Sequence, residues 1–391
     1  MIEQQTSASA TTGPLDVFRP ARHFVGIDVL RIAAALGVLL FHLHGAGGWP
    51  DFAWELPTFL LQGAWVGVDV FFVISGAVVG QAALRLWRSA KPSRYAFLRS
   101  RWWRIAPLYL LTSIVYVAFF HESLLVGADW LLQVSVHVLF IHNWFPSTIF
   151  SINPPTWSLA SEMQLYVLLA LSAPIIVRAS PMRVALGVLM VAMGWRSLSL
   201  IACHHFDASN LASCAQHFAY LTPGMLDSFG LGLALILLRE QRAFGNPKPS
   251  TSDALNLDWK RVVVLLGGSA LCLGTGAFVF RDVVAGTIWE TPVWAVSFRS
   301  LIALGAALVV WALLDLRLGV RASQRARHWG NLSYGIYLWH WIVILAWLAV
   351  TDIRGLPMLC SVVFLTWLLS ELTWRAFERP LQRWRSGRST N

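Results

Sequence analysis

Ten apolar runs dominate this sequence, at 24–44, 62–84, 105–120, 157–177, 184–202, 219–238, 262–280, 299–315, 330–350 and 356–374. A helix of about 20 apolar residues crosses a bilayer core. Lipid admits only elements whose backbone groups are paired internally. The chain is therefore expected to be all-α, a polytopic transmembrane helix bundle of about ten spans. Composition agrees, since 13% charged residues beside 57% hydrophobic ones is roughly half the charge of a soluble domain. An additional run at 128–142 is short and carries Asp129, Gln133 and His137, so it reads as an interfacial or re-entrant piece.

Basic residues sort to the cytoplasmic side of a membrane protein, and each wrongly counted span inverts everything after it. With ten spans, all but five of the 30 Lys and Arg fall on one side. Arg281, Arg299 and Arg354 fall opposite, and Arg31 and Arg196 lie within apolar segments. Both termini are thus expected in the cytoplasm, with a polar, disordered tail over 1–23, a transmembrane domain over 24–382 and a basic tail over 383–391. The first 23 residues lack the basic start and apolar core of a cleavable signal. The net charge of +10 does not indicate nucleic acid, because no basic, aromatic-interleaved module stands apart from the spans.

Four cysteines occur. Cys272 and Cys360 sit in spans and are expected to be buried, while Cys203 and Cys214 share an outer loop and are either a disulfide or two free thiols. His204, His205 and His217 lie in that loop at spacings that match no zinc site, so no metal is expected. Gly63/Gly67 and Gly76/Gly80 are small-xxx-small pairs that allow close helix packing.

Ionisable groups at membrane depth are functional candidates. Arg31 and His42 are eleven residues, or three turns, apart on the first helix, which places them on one face with a rise of roughly 16 Å. Snorkelling for Arg31 and a satisfied interfacial imidazole for His42 are the plain alternatives. In FLRSRWWRIAP (97–107), Arg101 and Arg104 share a face at i, i+3, a spacing that suits a phosphate clamp and equally a topology determinant. Trp102 and Trp103 beside them are candidates to stack on a ring. Asp69 in GVDVFFVISG (67–76) and Glu162 in TWSLASEMQLY (156–166) are expected near the depth of His42, as carboxylates able to orient an imidazole. His340 in SYGIYLWHWIVI (333–344), Ser158, Tyr166 and Asp227 are candidates to line the polar path.

Taken in order, Arg31-x10-His42, GVDVFFVISG, the Arg101/Arg104 pair, TWSLASEMQLY, SYGIYLWHW and FERPL (377–381) resemble the acyltransferase 3 family of membrane O-acyltransferases. The resemblance runs from about residue 24 to 382. It implies a bundle of about ten helices that moves an acyl group, commonly acetyl, from cytoplasmic acyl-coenzyme A to a hydroxyl. Acceptors typical of the family are sugars of surface polysaccharides, with antibiotics and other small molecules in some relatives. By carry-over Arg31 and His42 are linked to catalysis, Arg101 and Arg104 to coenzyme A, and Glu162 is the acid of its segment. The bacterial inner membrane, a carbohydrate acceptor and separate polysaccharide-assembly proteins follow as expectations. The chain departs from the pattern in reading GIDVLR (26–31), where a Gly usually precedes Leu-Arg. It also shows no SGNH-type hydrolase domain after the bundle.

A coenzyme A arm anchored at Arg101, Arg104 and Arg31 would bring its thioester toward His42, which is partly free base at neutral pH. A covalent acyl-histidine relay is the alternative to direct transfer. A transporter or flippase of lipid-linked sugars is the rival reading of the same polar core.

Overall fold

The computed structural model describes residues 24–47, 55–89, 91–245, 258–285 and 287–387. The expected N-terminal tail 1–23 and residues 388–391 of the basic tail lie outside the described residues, as does most of the basic loop at 246–257. The described chain is helical, in the order α1 (Val25–Gly45), α2 (Glu55–Gly63), α3 (Gly67–Trp87), α4 (Arg94–Phe120), α5 (Trp130–Val138), α6 (Trp157–Ile176) and α7 (Pro181–Phe206). It continues with α8 (Leu211–Tyr220), α9 (Leu226–Gly245), α10 (Trp259–Ala285), α11 (Pro292–Leu313), α12 (Val320–Val350), α13 (Leu356–Thr373) and α14 (Arg379–Gly387).

Among the described residues nine helical stretches are long and apolar enough to cross a bilayer, and the pair α8–α9 makes a tenth that is bent by 68°. The bend has a local cause. Leu221 takes an extended backbone (φ −70°, ψ 155°) just before Thr222-Pro223-Gly224, and Pro223 has no N–H to continue a helix. The run at 128–142 yields only α5, nine residues long and roughly 14 Å from end to end, too short to span. Several helices outrun their apolar cores: α4 and α12 begin more than ten residues before theirs, so Arg101 and Arg104 ride on a helical extension.

Helix α3 sits at the centre, packed on α1, α6, α9 and α11. Lipid gives no hydrophobic drive for helices to associate, so close backbone contact must supply it. A Cβ on Gly76 would lie 1.9 Å from Phe229 O, and one on Gly232 2.0 Å from Val73 O. Each helix therefore presses a bare backbone against the other. The outward faces stay apolar, with Leu171, Ile175, Met190, Leu198 and Leu266 exposed as lipid requires.

Cys203 and Cys214 form a disulfide between α7 and α8, with Cα atoms 5.8 Å apart. Cys272 is buried as expected, whereas Cys360 is exposed, because its position on α13 faces away from the bundle rather than into it.

Candidate active site

Two cavities meet in the bundle. The larger, about 770 Å³, is lined near the chain termini by Arg85, Arg101, Arg104, Arg379 and Arg383, and further in by Arg31. Arg101 and Arg104 face it together because they sit one turn apart on α4. Arg104 is paired with Glu378 at 3.7 Å and lies over the Tyr334 ring. Arg101 Nε donates to Ser100 Oγ at 3.1 Å. Of the two tryptophans between them, Trp103 lines the cavity, while Trp102 points outward and is 39% exposed. Only Trp103 is placed to stack on a bound ring.

The inner wall of this cavity is a web of hydroxyls around Glu162. Ser75 Oγ donates to Glu162 Oε1 at 2.5 Å, and the Tyr166 hydroxyl donates to the same oxygen. Ser158 Oγ and Tyr337 Oη are 2.7 Å apart, and Tyr337 Oη donates to Pro155 O at 2.6 Å. Glu162, expected beside the imidazole, belongs to the arginine-lined cavity instead. It enters α6 in its second turn from Trp157, on the face that carries Ser158 and Tyr166.

The second cavity, about 280 Å³, lies toward the other face of the bundle and is largely aromatic. His42, in the last turn of α1, lines it with Asp69, Arg299, Trp65, Tyr220 and Trp341. Val68 and Tyr337 line both cavities, so they form the wall where the two meet. Arg31 and His42 thus line adjoining cavities from opposite halves of one helix.

Among the described residues neither expected carboxylate is hydrogen-bonded to His42. Its Nδ1 lies 3.0 Å from Val38 O and 3.1 Å from His340 Nε2. His340 Nδ1 lies 2.6 Å from Tyr337 O. A carbonyl only accepts, so both Nδ1 atoms carry protons; His340 Nε2 accepts, and the lone pair of His42 falls on Nε2. His340, expected to line the path, is instead fully buried behind His42. The sequence contained both histidines, but no spacing rule joins residues 298 positions apart.

Asp69 is held by other partners: Arg299 Nη1 at 3.3 Å and Ser228 Oγ at 3.2 Å. Arg299 stands at the first position of its apolar run in the sequence. It lies in the second turn of α11 and is 3% exposed, because α11 starts at Pro292, well before its apolar run. A basic residue at the margin of an apolar run was the available signal. Asp227, a candidate path residue, is instead locked to Arg196 and accepts from Ser300 Oγ at 2.7 Å between α7, α9 and α11. Buried charges persist only when paired, and this pair satisfies that rule by joining three helices.

The model of the acyltransferase domain of the acyltransferase 3 type matches residues 24–374, and the chain belongs to that family. It is 24% identical over 379 residues to the O-acetyltransferase OatA of Staphylococcus aureus, covering 93% of this chain and 58% of that protein. It is 26% identical over 375 residues to the putative membrane-bound transacylase BcsY of Komagataeibacter xylinus, covering 93% and 84%. The putative peptidoglycan O-acetyltransferase YrhL of Bacillus subtilis is 25% identical over 384 residues, covering 92% and 55%. The chain thus spans little more than half the length of OatA and YrhL. No solved structure matches it.

Proposed function

We propose that this chain is an O-acetyltransferase of the bacterial inner membrane that moves an acyl group from cytoplasmic acyl-coenzyme A to a carbohydrate hydroxyl. The observation that carries the reading is the placement of Arg31 and His42 in two adjoining cavities that share Val68 and Tyr337. The one-sided basic residues support cytoplasmic termini, which turns the arginine-lined cavity toward the cytosol.

Coenzyme A is polyanionic, and the cavity meets it with arginines at the mouth, which bind phosphate strongly through charge-assisted bonds. Arg101 and Arg104 hold phosphates, Arg31 draws the arm inward, and Trp103 offers a face to the adenine. The thioester then passes between Val68 and Tyr337, where the two cavities adjoin, to reach the side of His42. His42 Nε2 takes the proton from the acceptor hydroxyl as its oxygen bonds the acyl carbon. The carbon–sulfur bond breaks, the thiolate departs on the donor, and the proton passes from His42 to that sulfur or to solvent. Glu162 keeps its place in the donor chamber through Ser75 and Tyr166, and Asp69 acts on the acceptor side through Arg299.

The decisive experiment combines full-length protein in lipid nanodiscs with radiolabelled acetyl-coenzyme A. Wild type is expected to bind the donor and label a glycoside, and His42→Ala to bind it without labelling. An active His42→Ala protein would overturn the base assignment. Cells lacking the chain are expected to lose an acetyl increment from surface polysaccharide by mass spectrometry.

A further inference from the structure

The polar atoms of the aromatic chamber say what should occupy it. Arg299 is buried to 3% exposure, with its guanidinium 5.2 Å from the Tyr220 ring centroid, 5.6 Å from that of Phe298 and 5.7 Å from that of Trp65. Its Nη1 is paired with Asp69, yet its Nε has no hydrogen-bond partner among the described residues. A buried donor left unsatisfied in a native site is expensive and calls for an explanation, of which a ligand is one. Tyr220 Oη, fixed by Gln216 Nε2 at 3.1 Å, adds a hydroxyl free to donate on the same wall. Trp341 stands edge-on to His42 at 5.2 Å between centroids, presenting a flat apolar surface next to the proposed base.

We infer that this chamber is the acceptor subsite and takes a single neutral sugar ring. The C–H face of the ring rests on Trp341, its hydroxyls reach Arg299 Nε, Asp69 and Tyr220 Oη, and one hydroxyl points to His42. A sugar matches this mixture of aromatic faces and convergent polar atoms, whereas an alkyl chain would leave Arg299 Nε unanswered. Asp69 neutralises Arg299, so a uronic acid gains no net attraction and brings its carboxylate against that of Asp69. The volume of about 280 Å³ admits one ring, with the rest of a polymer outside. The inference rests on the acyltransferase reading, with the donor in the other cavity.

Saturation-transfer NMR of the full-length protein in detergent, with methyl β-glucoside as probe, tests the subsite without any turnover. Isothermal titration with acetyl-coenzyme A reports separately on the donor side. Wild type is expected to give a glucoside signal concentrated on ring C–H protons, and glucuronate a weaker one. Trp341→Ala and Tyr220→Phe are each expected to weaken glucoside binding by about tenfold while donor affinity stays within about twofold. Arg299→Lys, which keeps the charge but not Nε, should do the same. The inference is overturned if glucoside gives no signal on a protein that binds acetyl-coenzyme A, or if glucuronate binds better. It is also overturned if the variants instead change selectivity between acetyl- and octanoyl-coenzyme A, which would make the chamber an acyl-chain pocket. Glucoside binding without donor binding would sink the donor assignment alone.

Discussion

His340 Nε2 accepts from His42 Nδ1 at 3.1 Å, and this contact ties α12 to the end of α1 at the point where the proposed base is needed. His340 therefore acts as a positioning residue that fixes the His42 tautomer. His340→Leu should lower kcat by about 10²-fold with the KM for acetyl-coenzyme A unchanged. His340→Gln, whose side-chain oxygen can still accept from His42, should recover most of that loss. Equal loss in both variants, with correct folding, would reduce His340 to a packing residue.

In the proposed mechanism Arg101 and Arg104 each hold a donor phosphate, and removing Arg104 frees Glu378, its ion-pair partner, to repel the donor. Arg101→Ala should weaken coenzyme A binding by about tenfold, with a smaller change in turnover at saturation. Arg104→Ala should weaken it as well, and adding Glu378→Gln should restore part of that second loss. Titration calorimetry at low and high salt measures each step, since losing a phosphate contact also reduces the salt dependence. Unchanged affinity in all three variants would return the pair to a purely topological role.

The bundle, its span count and most polar side chains of the site were legible in the sequence, because membrane depth makes an apolar run and an isolated charge both conspicuous. Partner identity was not. The sequence puts Asp69 and Glu162 near the depth of His42, but position along a helix axis says nothing about which neighbour a side chain turns to. Asp69 finds Arg299, 230 residues away, and Glu162 finds Ser75, 87 residues away. The burial of Arg299 was not legible either, because an apolar run marks the lipid-immersed part of a helix, while α11 begins two turns before that run.

The α3–α9 contact depends on glycine at Gly76, where a Cβ would meet Phe229 O at 1.9 Å. Gly76→Ala must push the two backbones apart, an overpacking penalty of about 1–3 kcal/mol. Gly187→Ala is the control: it lies in α7 with nothing within 4 Å of the added Cβ, and alanine is the better helix former. Thermal unfolding in detergent should show a lower midpoint for the first variant and none for the second. Equal midpoints would mean that the helices are not in backbone contact.

Between α4 and α6, His137 and His142 stack with centroids 4.2 Å apart and planes 4° from parallel, and both are buried. Burial pushes His137 from 6.5 down to about 4. Burial, reinforced by His137, pushes His142 to about 3. The unfolded chain therefore takes up protons below about pH 6.5 that the folded one refuses until near pH 4. Neither histidine affects stability above the upper value. As pH falls below it, the folded state loses about 1.4 kcal/mol per pH unit for each ring. His142→Phe retains an aromatic ring but removes one of the two protonation sites. Its melting temperature should match wild type at about pH 7.5 and fall less steeply toward about pH 5. Parallel decline of the two proteins would show that these rings are not held neutral in the folded state.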